Sequence, residues 1–367
     1  MKSILICGSR GYPARYGGFE TLTQELAELW SNEGHSVTVT GFSSKSSERV
    51  LVKSEPTAKI ITITVKYSGW SRVANMYATF KAARLACKLY KFDGAIVLND
   101  VNFFTALYLN ARRGIPVVIH LDGDESVRRG IPWPGRVLHW LMRSASLNFM
   151  DTIVVDSRAL LSSIPQRLSN KVRVIKYGFP VVSTDRTILA RDFSELQKGY
   201  FLNVARLVPE NNVVEIVESY LSSKRALPLV IVGKGTGSKS YESRLEDLAL
   251  EVPGKIFLLD AQYDPQKLCT LIESSNLYIH GHEAGGTNPV LVTAREFASN
   301  VASHNNSYNR EDCRDDEMFW SSVAELTAIM DSEAPFRKRQ NVGITSKAST
   351  HSWEEIADQY LDLLFTA

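Results

Sequence analysis

The residues best suited to chemistry in this 367-residue chain sit in or beside glycine-rich loops. Between the apolar run Ile4–Cys7 and a helix opening at Thr21, Gly8, Gly11, Gly17 and Gly18 supply four positions without a Cβ. Such a loop lets backbone N–H groups approach an anion while the positive end of the helix faces it. The same glycines also suit a turn that merely closes tightly. Gly233 and Gly235, in Val232-Gly-Lys-Gly-Thr-Gly237, form a second loop after an apolar run, and a tight turn explains it equally well. A third segment, Tyr278-Ile-His-Gly-His-Glu-Ala-Gly-Gly-Thr-Asn-Pro-Val290, sets His280, His282 and Glu283 before Gly285, Gly286, Thr287 and Asn288. Its glycines offer backbone N–H groups, and Pro289 falls in the first turn of the next helix. Histidines at strand ends either work on a ligand or only brace a loop. Arg206 follows the apolar run Phe201–Ala205, and its guanidinium suits phosphate oxygens in fork geometry, although arginine after a strand is also an ordinary surface residue. Asp122-Gly-Asp124 has the spacing of an Asp-x-Asp divalent-cation motif.

The elements that must position these residues alternate between β-rich and helical runs, which predicts parallel sheets with right-handed crossovers. Strands are expected at Ser3–Cys7, Ser36–Thr40, Lys59–Val65, Gly94–Leu98, Pro116–His120, Thr152–Asp156 and Lys171–Ile175. A second series begins at Tyr200–Ala205 and continues with Leu227–Val232, Lys255–Leu259, Leu277–His280 and Val301–His304. The polar stretch Ser183–Lys198 separates the two, so an α/β fold with domains over 1–182 and 183–352 is expected, each of ordinary size. Ligands of open α/β sheets bind beyond the carboxyl ends of strands, where all of these loops lie.

Taken whole, Gly8-Ser-Arg-Gly-Tyr-Pro-Ala-Arg-Tyr-Gly-Gly-Phe-Glu-Thr21 resembles the opening of the rhamnosyltransferase-like branch of the family 4 retaining glycosyltransferases. His280-Gly-His282 followed by Gly285-Gly-Thr-Asn-Pro289 resembles that branch's donor motif, and Tyr308-Asn-Arg-Glu311 its Phe-Asn-Arg-Glu. The resemblance runs from Met1 to about Leu364 and is specific at the loops. It implies the GT-B fold, two Rossmann-like domains facing across a cleft, with a C-terminal helix (353–367) packing back on the first domain. It also implies transfer of rhamnose or a similar hexose from a nucleotide sugar such as dTDP-rhamnose or a UDP-sugar. The acceptor would be a saccharide, free or polyprenyl-diphosphate-linked, in cell-surface polysaccharide synthesis. Gly17, Gly18, Arg206, Asn211, Gly285, Gly286, Thr287, Asn288 and Thr293 are the implied donor-binding residues, with Asp122 and His282 at the reacting centre. Gly233, Gly235 and Glu283 stand behind them. No metal or other cofactor is implied, because this fold manages phosphate charge with helix dipoles and basic side chains. That sets aside the metal reading of Asp122 and Asp124.

The chain departs from the wider family at one telling place. Thr293 stands where a glutamate is expected to bind the nucleotide ribose, and Gly285 where the family has an earlier glutamate; Glu283 and Glu296 are out of register. Asn211 takes a position often held by lysine, and Ala298 and Asn300 replace the usual Gly and Pro. A threonine hydroxyl is a shorter acceptor than a carboxylate, at a cost of about 1.5–3 kcal/mol in donor binding. A non-catalytic GT-B protein that binds nucleotide sugar or an assembly partner is therefore the alternative reading. A nucleotide-sugar epimerase of the same fold is disfavoured by the opening motif.

Composition narrows the setting. Lys and Arg total 42 against 40 Asp and Glu, a net charge of +2 that gives no reason to expect nucleic acid. Four scattered cysteines, Cys7, Cys87, Cys269 and Cys313, lack metal-type spacing and read as reduced thiols of a cytoplasmic protein. No apolar run reaches the ~18 residues of a membrane span. Trp70–Phe92 carries Arg72, Lys81, Arg84, Lys88 and Lys91 and no acidic residue. A solvated basic helix face explains that pattern, and so does peripheral contact with the inner face of a membrane.

Overall fold

The computed structural model describes residues 1–14, 17–43, 50–54, 59–67, 72–121, 123, 133–224, 227–235, 239–283, 286–332 and 352–366. Asp122, Asp124 and Gly285 lie outside them. The chain divides into two units, Met1–Tyr177 with Thr350–Ala367, and Gly178–Ser349.

In the first unit Ile4, Leu5, Ile6 and Cys7 of β1 (Ser3–Cys7) are all fully buried. Continuous burial of this kind belongs to a parallel strand covered on both faces. The order continues α1 (Gly18–Asn32), β2 (Ser36–Ser43), β3 (Val50–Ser54), β4 (Ile60–Lys66), α2 (Arg72–Leu89), β5 (Gly94–Leu98), α3 (Phe103–Leu107), β6 (Val117–Leu121), α4 (Trp133–Phe149), β7 (Thr152–Val155) and β8 (Val172–Val174). A π-helical turn, Tyr108–Arg112, extends α3. These strands form one eight-stranded sheet in the order β3-β4-β2-β1-β5-β6-β7-β8. Every pairing is parallel except β3 with β4. The sequence reading missed β3, an edge strand whose last three residues are exposed and which therefore carries no core pattern to read.

The second unit runs α5 (Thr187–Asp192), β9 (Phe201–Val204), α6 (Val213–Ser222), β10 (Leu229–Val232), α7 (Lys239–Leu250), β11 (Ile256–Leu259), α8 (Pro265–Ser274), β12 (Leu277–His280), α9 (Pro289–Phe297), β13 (Val301–His304), α10 (Ser307–Arg310), β14 (Met318–Trp320) and α11 (Val323–Met330). Its six-stranded parallel sheet has the order β11-β10-β9-β12-β13-β14. The three-residue β14 is also absent from the sequence expectation, being too short to show a period.

The last helix, α12 (Trp353–Phe365), belongs to the first unit. Trp353, Ile356, Ala357, Tyr360 and Leu364 recur at helical spacing and pack with Leu22, Leu26 and Trp30 of α1 and with Val118 and Ile96 of the sheet. Trp30 is fully buried, and its indole N–H donates to the Ala357 carbonyl at 3.3 Å. Tyr360 Oη shares a 2.7 Å hydrogen bond with His120 Nδ1, which satisfies this buried hydroxyl. Burial holds the Tyr360 hydroxyl well above its ordinary pKa. Cys7, Cys87 and Cys269 are buried free thiols and Cys313 is exposed; burial pushes Cys7 and Cys269 up to about 12, which leaves them unreactive as nucleophiles.

Candidate active site

β10, β9, β12 and β13 are neighbours in the second sheet, so the loops at their carboxyl ends meet. The β9 loop is the hub. Asn211 is 4% exposed and spends both ends of its amide: Nδ2 donates to the Arg206 carbonyl at 2.8 Å, and Oδ1 lies 2.8 Å from His282 Nδ1. With the amide nitrogen turned to a carbonyl, Asn211 Oδ1 is left to accept from His282 Nδ1. Asn212, held at φ 49°, donates from Nδ2 to the Gly281 carbonyl at 2.8 Å, and the Glu283 N–H donates to the Glu210 carbonyl at 3.0 Å. The two loops are so close that a Cβ on Gly281 would collide with the Asn211 carbonyl oxygen, which is why glycine separates the two histidines. On the other side Leu207 donates to the Lys234 carbonyl at 3.1 Å and pairs with Gly235, while a Cβ on Gly233 would strike the Ala205 carbonyl.

The β13 loop closes the set from the far side. Asn306 and Asn309 each donate a side-chain N–H to the His282 carbonyl at 2.9 Å, and Asn309 also reaches the His304 carbonyl at 2.8 Å. Asn309 is held in turn by Arg295, whose guanidinium reaches the carbonyls of Asn309 and Glu311 and pairs bidentately with Glu317 at 2.9 and 3.0 Å. Glu317 is buried and accepts a further hydrogen bond from Ser303 at 2.6 Å. Breaking a buried pair of this kind leaves an uncompensated charge, at about 3–5 kcal/mol. Sequence reasoning gave Asn309 no role and missed Arg295 and Glu317. The Tyr308-Asn-Arg-Glu311 motif was a signal for the first, and nothing in spacing announces the other two.

The remaining predicted residues separate by situation. Arg206 keeps its side chain partly exposed, with Nη2 at 4.0 Å from Glu210 Oε1, a contact at the limit of an ion pair that contributes little. Asn288 caps α9, its Oδ1 accepting from Val290 N–H at 3.0 Å, with Gly286 and Thr287 just before it. Thr293 is 5% exposed and its hydroxyl donates to the Pro289 carbonyl at 3.0 Å. His280 is 2% exposed, stacks on Tyr278 at 6.2 Å, and has no hydrogen-bond partner at either ring nitrogen among the described residues. Burial, then His282, Arg295 and His304, hold its pKa well below the ordinary histidine value, so it is a neutral core ring.

In the first unit the opening loop is tied to its own helix. Glu20, Gln24 and Glu28, four residues apart on α1, accept from Arg10 N–H (2.9 Å), Ala14 N–H (2.8 Å) and Tyr12 O–H (3.0 Å). Gly17 is the N-cap residue and Gly18 the first helical one. The anion at this helix end is the chain's own Glu20, which burial raises in pKa against the opposing N–H groups of Arg10, Glu20 itself and Gly17. A ligand anion arriving there meets Glu20 first. Beyond β5, a cavity of about 310 Å³ is lined by Asp100, His139, Arg143, Ser163 and Arg167 among others. His139 Nδ1 stands 3.4 Å from Asp100 Oδ1, and Arg143 donates to Ser163 Oγ at 2.8 Å. The sequence reading overlooked this group, although Asp100 does follow a strand end. Among the described residues no group of three His, Cys, Asp or Glu gathers as a metal site.

Residues 16–181 match the model of Glycosyltransferase Family 4. That stretch, a little under half of the chain, is similar to glycosyltransferase family 4. No curated protein matches the chain by sequence. Among solved structures it is similar to a sucrose-phosphate synthase from Thermosynechococcus elongatus, with a TM-score of 0.79 at 15% identity, covering 99% of this chain and 98% of that one. An α,α-trehalose-phosphate synthase from Burkholderia xenovorans in complex with glucose-6-phosphate gives 0.74 at 11% identity, over 99% and 100% of the chains. Anabaena Alr3699/HepE in complex with UDP-glucose gives 0.69 at 13% identity, over 100% and 96%. The fold of the chain is GT-B, with the eight-stranded and six-stranded sheets as its two Rossmann-like cores.

Proposed function

We propose that the chain is a retaining glycosyltransferase that takes its donor, a nucleotide sugar, at the carboxyl edge of the second sheet. The observation that carries this reading is the joining of the β9, β10, β12 and β13 loops around Arg206 and His282. Arg206 meets the diphosphate oxygens, and the N-terminus of α9 with Gly286, Thr287 and Asn288 adds backbone N–H groups and the positive end of a helix. Both stabilise the charge that develops as the diphosphate leaves. His282, its ring held through Nδ1 by Asn211, stands among these loops as the side chain nearest the reacting centre in this reading. No side chain here needs to act as a covalent nucleophile, and departure and attack on one face of the sugar give retention. Solved structures of the same fold with UDP-glucose and with UDP support a uridine nucleotide, and dTDP-rhamnose is the other donor in this reading. The acceptor is a saccharide, free or polyprenyl-diphosphate-linked, of a surface polysaccharide made on the cytoplasmic side.

The test is calorimetric titration with UDP, dTDP and GDP. At least one should bind, and Arg206→Ala should weaken it at least tenfold, ~1.4 kcal/mol. No binding by any of the three, or equal binding by the variant, would sink the proposal. One observation favours a second reading, a sugar-nucleotide-binding protein without turnover: the Thr293 hydroxyl is spent on its own helix and brings no carboxylate to the ribose.

A further inference from the structure

The layer α2, α3 and α4 runs side by side across the first unit, α3 packing against both neighbours. Elsewhere among the described residues of this unit only Met1, Val52 and Leu161 are exposed large apolar side chains, but here many are. Nine of the 16 exposed large apolar residues among those described lie on these three helices. Trp133, Val137, Trp140 and Leu141 stand on α4 at 76%, 46%, 61% and 47% exposure. Their spacing of four, seven and eight residues puts them on one stripe of about 100–120°. Phe104 of α3 and Phe149 at the end of α4 are also exposed, and both lie close to Phe103.

Charge says what covers this stripe. The chain has 40 acidic residues to 42 basic ones, yet α2, α3, the π-helical turn and α4 contain no aspartate or glutamate. Lys81, Arg84 and Lys88 are exposed along α2, behind Val73 and Tyr77, which are 61% and 62% exposed. Arg112 ends the π-helical turn, and Arg136 borders the α4 stripe, both exposed. Tryptophans on a helix face, flanked by exposed cations on helices that carry no carboxylate, match the boundary between lipid headgroups and acyl chains. A protein partner of ordinary surface composition would be met by mixed charge instead.

We infer that this face docks on an anionic lipid bilayer, with the Trp133–Leu141 stripe of α4 inserted at the interface and the α2 lysines and arginine over the headgroups. The docking is independent of the donor chemistry proposed above. It places the apolar contact on α4, a helix to which the sequence reading gave no role, and leaves the basic stretch of α2 as its electrostatic flank.

Full-length protein is sedimented with vesicles of phosphatidylcholine alone or with about one-third phosphatidylglycerol, at low and high salt. Wild type should pellet with the anionic vesicles, at least tenfold more than with neutral ones, and release as salt rises. Trp133→Ser with Val137→Glu should cut that binding at least tenfold while the thermal transition stays put, because both side chains face outward. Lys81→Gln with Arg84→Gln and Lys88→Gln should remove the preference for anionic lipid. Equal sedimentation of wild type and the α4 variant with anionic vesicles would overturn the inference. So would an α4 variant that keeps its vesicle binding but turns a dimer into a monomer in analytical ultracentrifugation, which would assign the stripe to a second copy of the chain.

Discussion

Thr293 is the residue at which this chain departs most consequentially from the family its sequence resembles. It lies in the first turn and a half of α9, buried, with its hydroxyl turned back to Pro289. A hydroxyl that donates within its helix still has lone pairs, but it cannot reach as far as a carboxylate, nor does it carry charge. Restoring the acidic group in Thr293→Glu should tighten donor-nucleotide binding by up to roughly tenfold, the value of one charge-assisted hydrogen bond. Calorimetry on wild type and variant, with a melting curve to show that both fold, decides the matter. An unchanged or weaker affinity in a folded variant would remove Thr293 from the ribose position. Asn211 acts through the loops it joins. It was singled out as a neutral replacement for a phosphate-binding lysine, yet both ends of its amide are occupied, one by the Arg206 carbonyl and one by His282. In this structure it positions the two residues on either side of it.

Helices α1 and α12 depend on each other, and their contact includes a destabilising group. Glu25 of α1 is pushed up to about 7, first by burial and then by the charges of Glu28 and Glu354. An unfolded glutamate titrates near its ordinary value of about 4.3. Between about pH 4 and 7 the native chain therefore holds a proton that the unfolded chain has lost, and stability falls as pH rises through that window. Below the window the penalty is absent; above it the penalty is fully expressed, on the order of 1–3 kcal/mol after solvent screening. Glu25→Gln should raise the melting temperature by several degrees near pH 8 and leave it unchanged near pH 4. Melting followed by circular dichroism at the two pH values checks this, and equal shifts at both would show that the charge is not the cause. Helices and strands of this kind were legible in the sequence because their burial is periodic or continuous. Leu277–His280 and Val301–His304 are placed to the residue, and Trp353–Phe365 shows its apolar spacing plainly. Edge strands β3 and β14 were not legible, since an exposed or three-residue strand has no pattern to betray it. The loops were recognisable by their glycines, but not the side chains that join them. Asn309 reaches His282 across 27 positions and Arg295 reaches Glu317 across 22, distances over which local sequence says nothing.

Across the whole molecule the net charge is only +2, so no long-range field draws a nucleotide diphosphate to the chain. Its charge has to be met locally, and the GT-B architecture offers two means at the carboxyl edge of the second sheet. One is the Arg206 guanidinium, and the other is the N-terminus of α9 behind Gly286 and Thr287. In our reading these two suffice without a divalent ion. Nucleotide affinity and sugar transfer should therefore be unchanged by excess chelator, while Arg206→Ala should weaken binding equally with and without magnesium. Both are read by titration and by release of nucleoside diphosphate from a nucleotide sugar. If chelation abolished transfer and manganese restored it, an ion would be carrying part of the diphosphate charge. Arg206 and α9 would then be positioning groups around that ion, and Asp122-Gly-Asp124 would become the first place to look for its ligands.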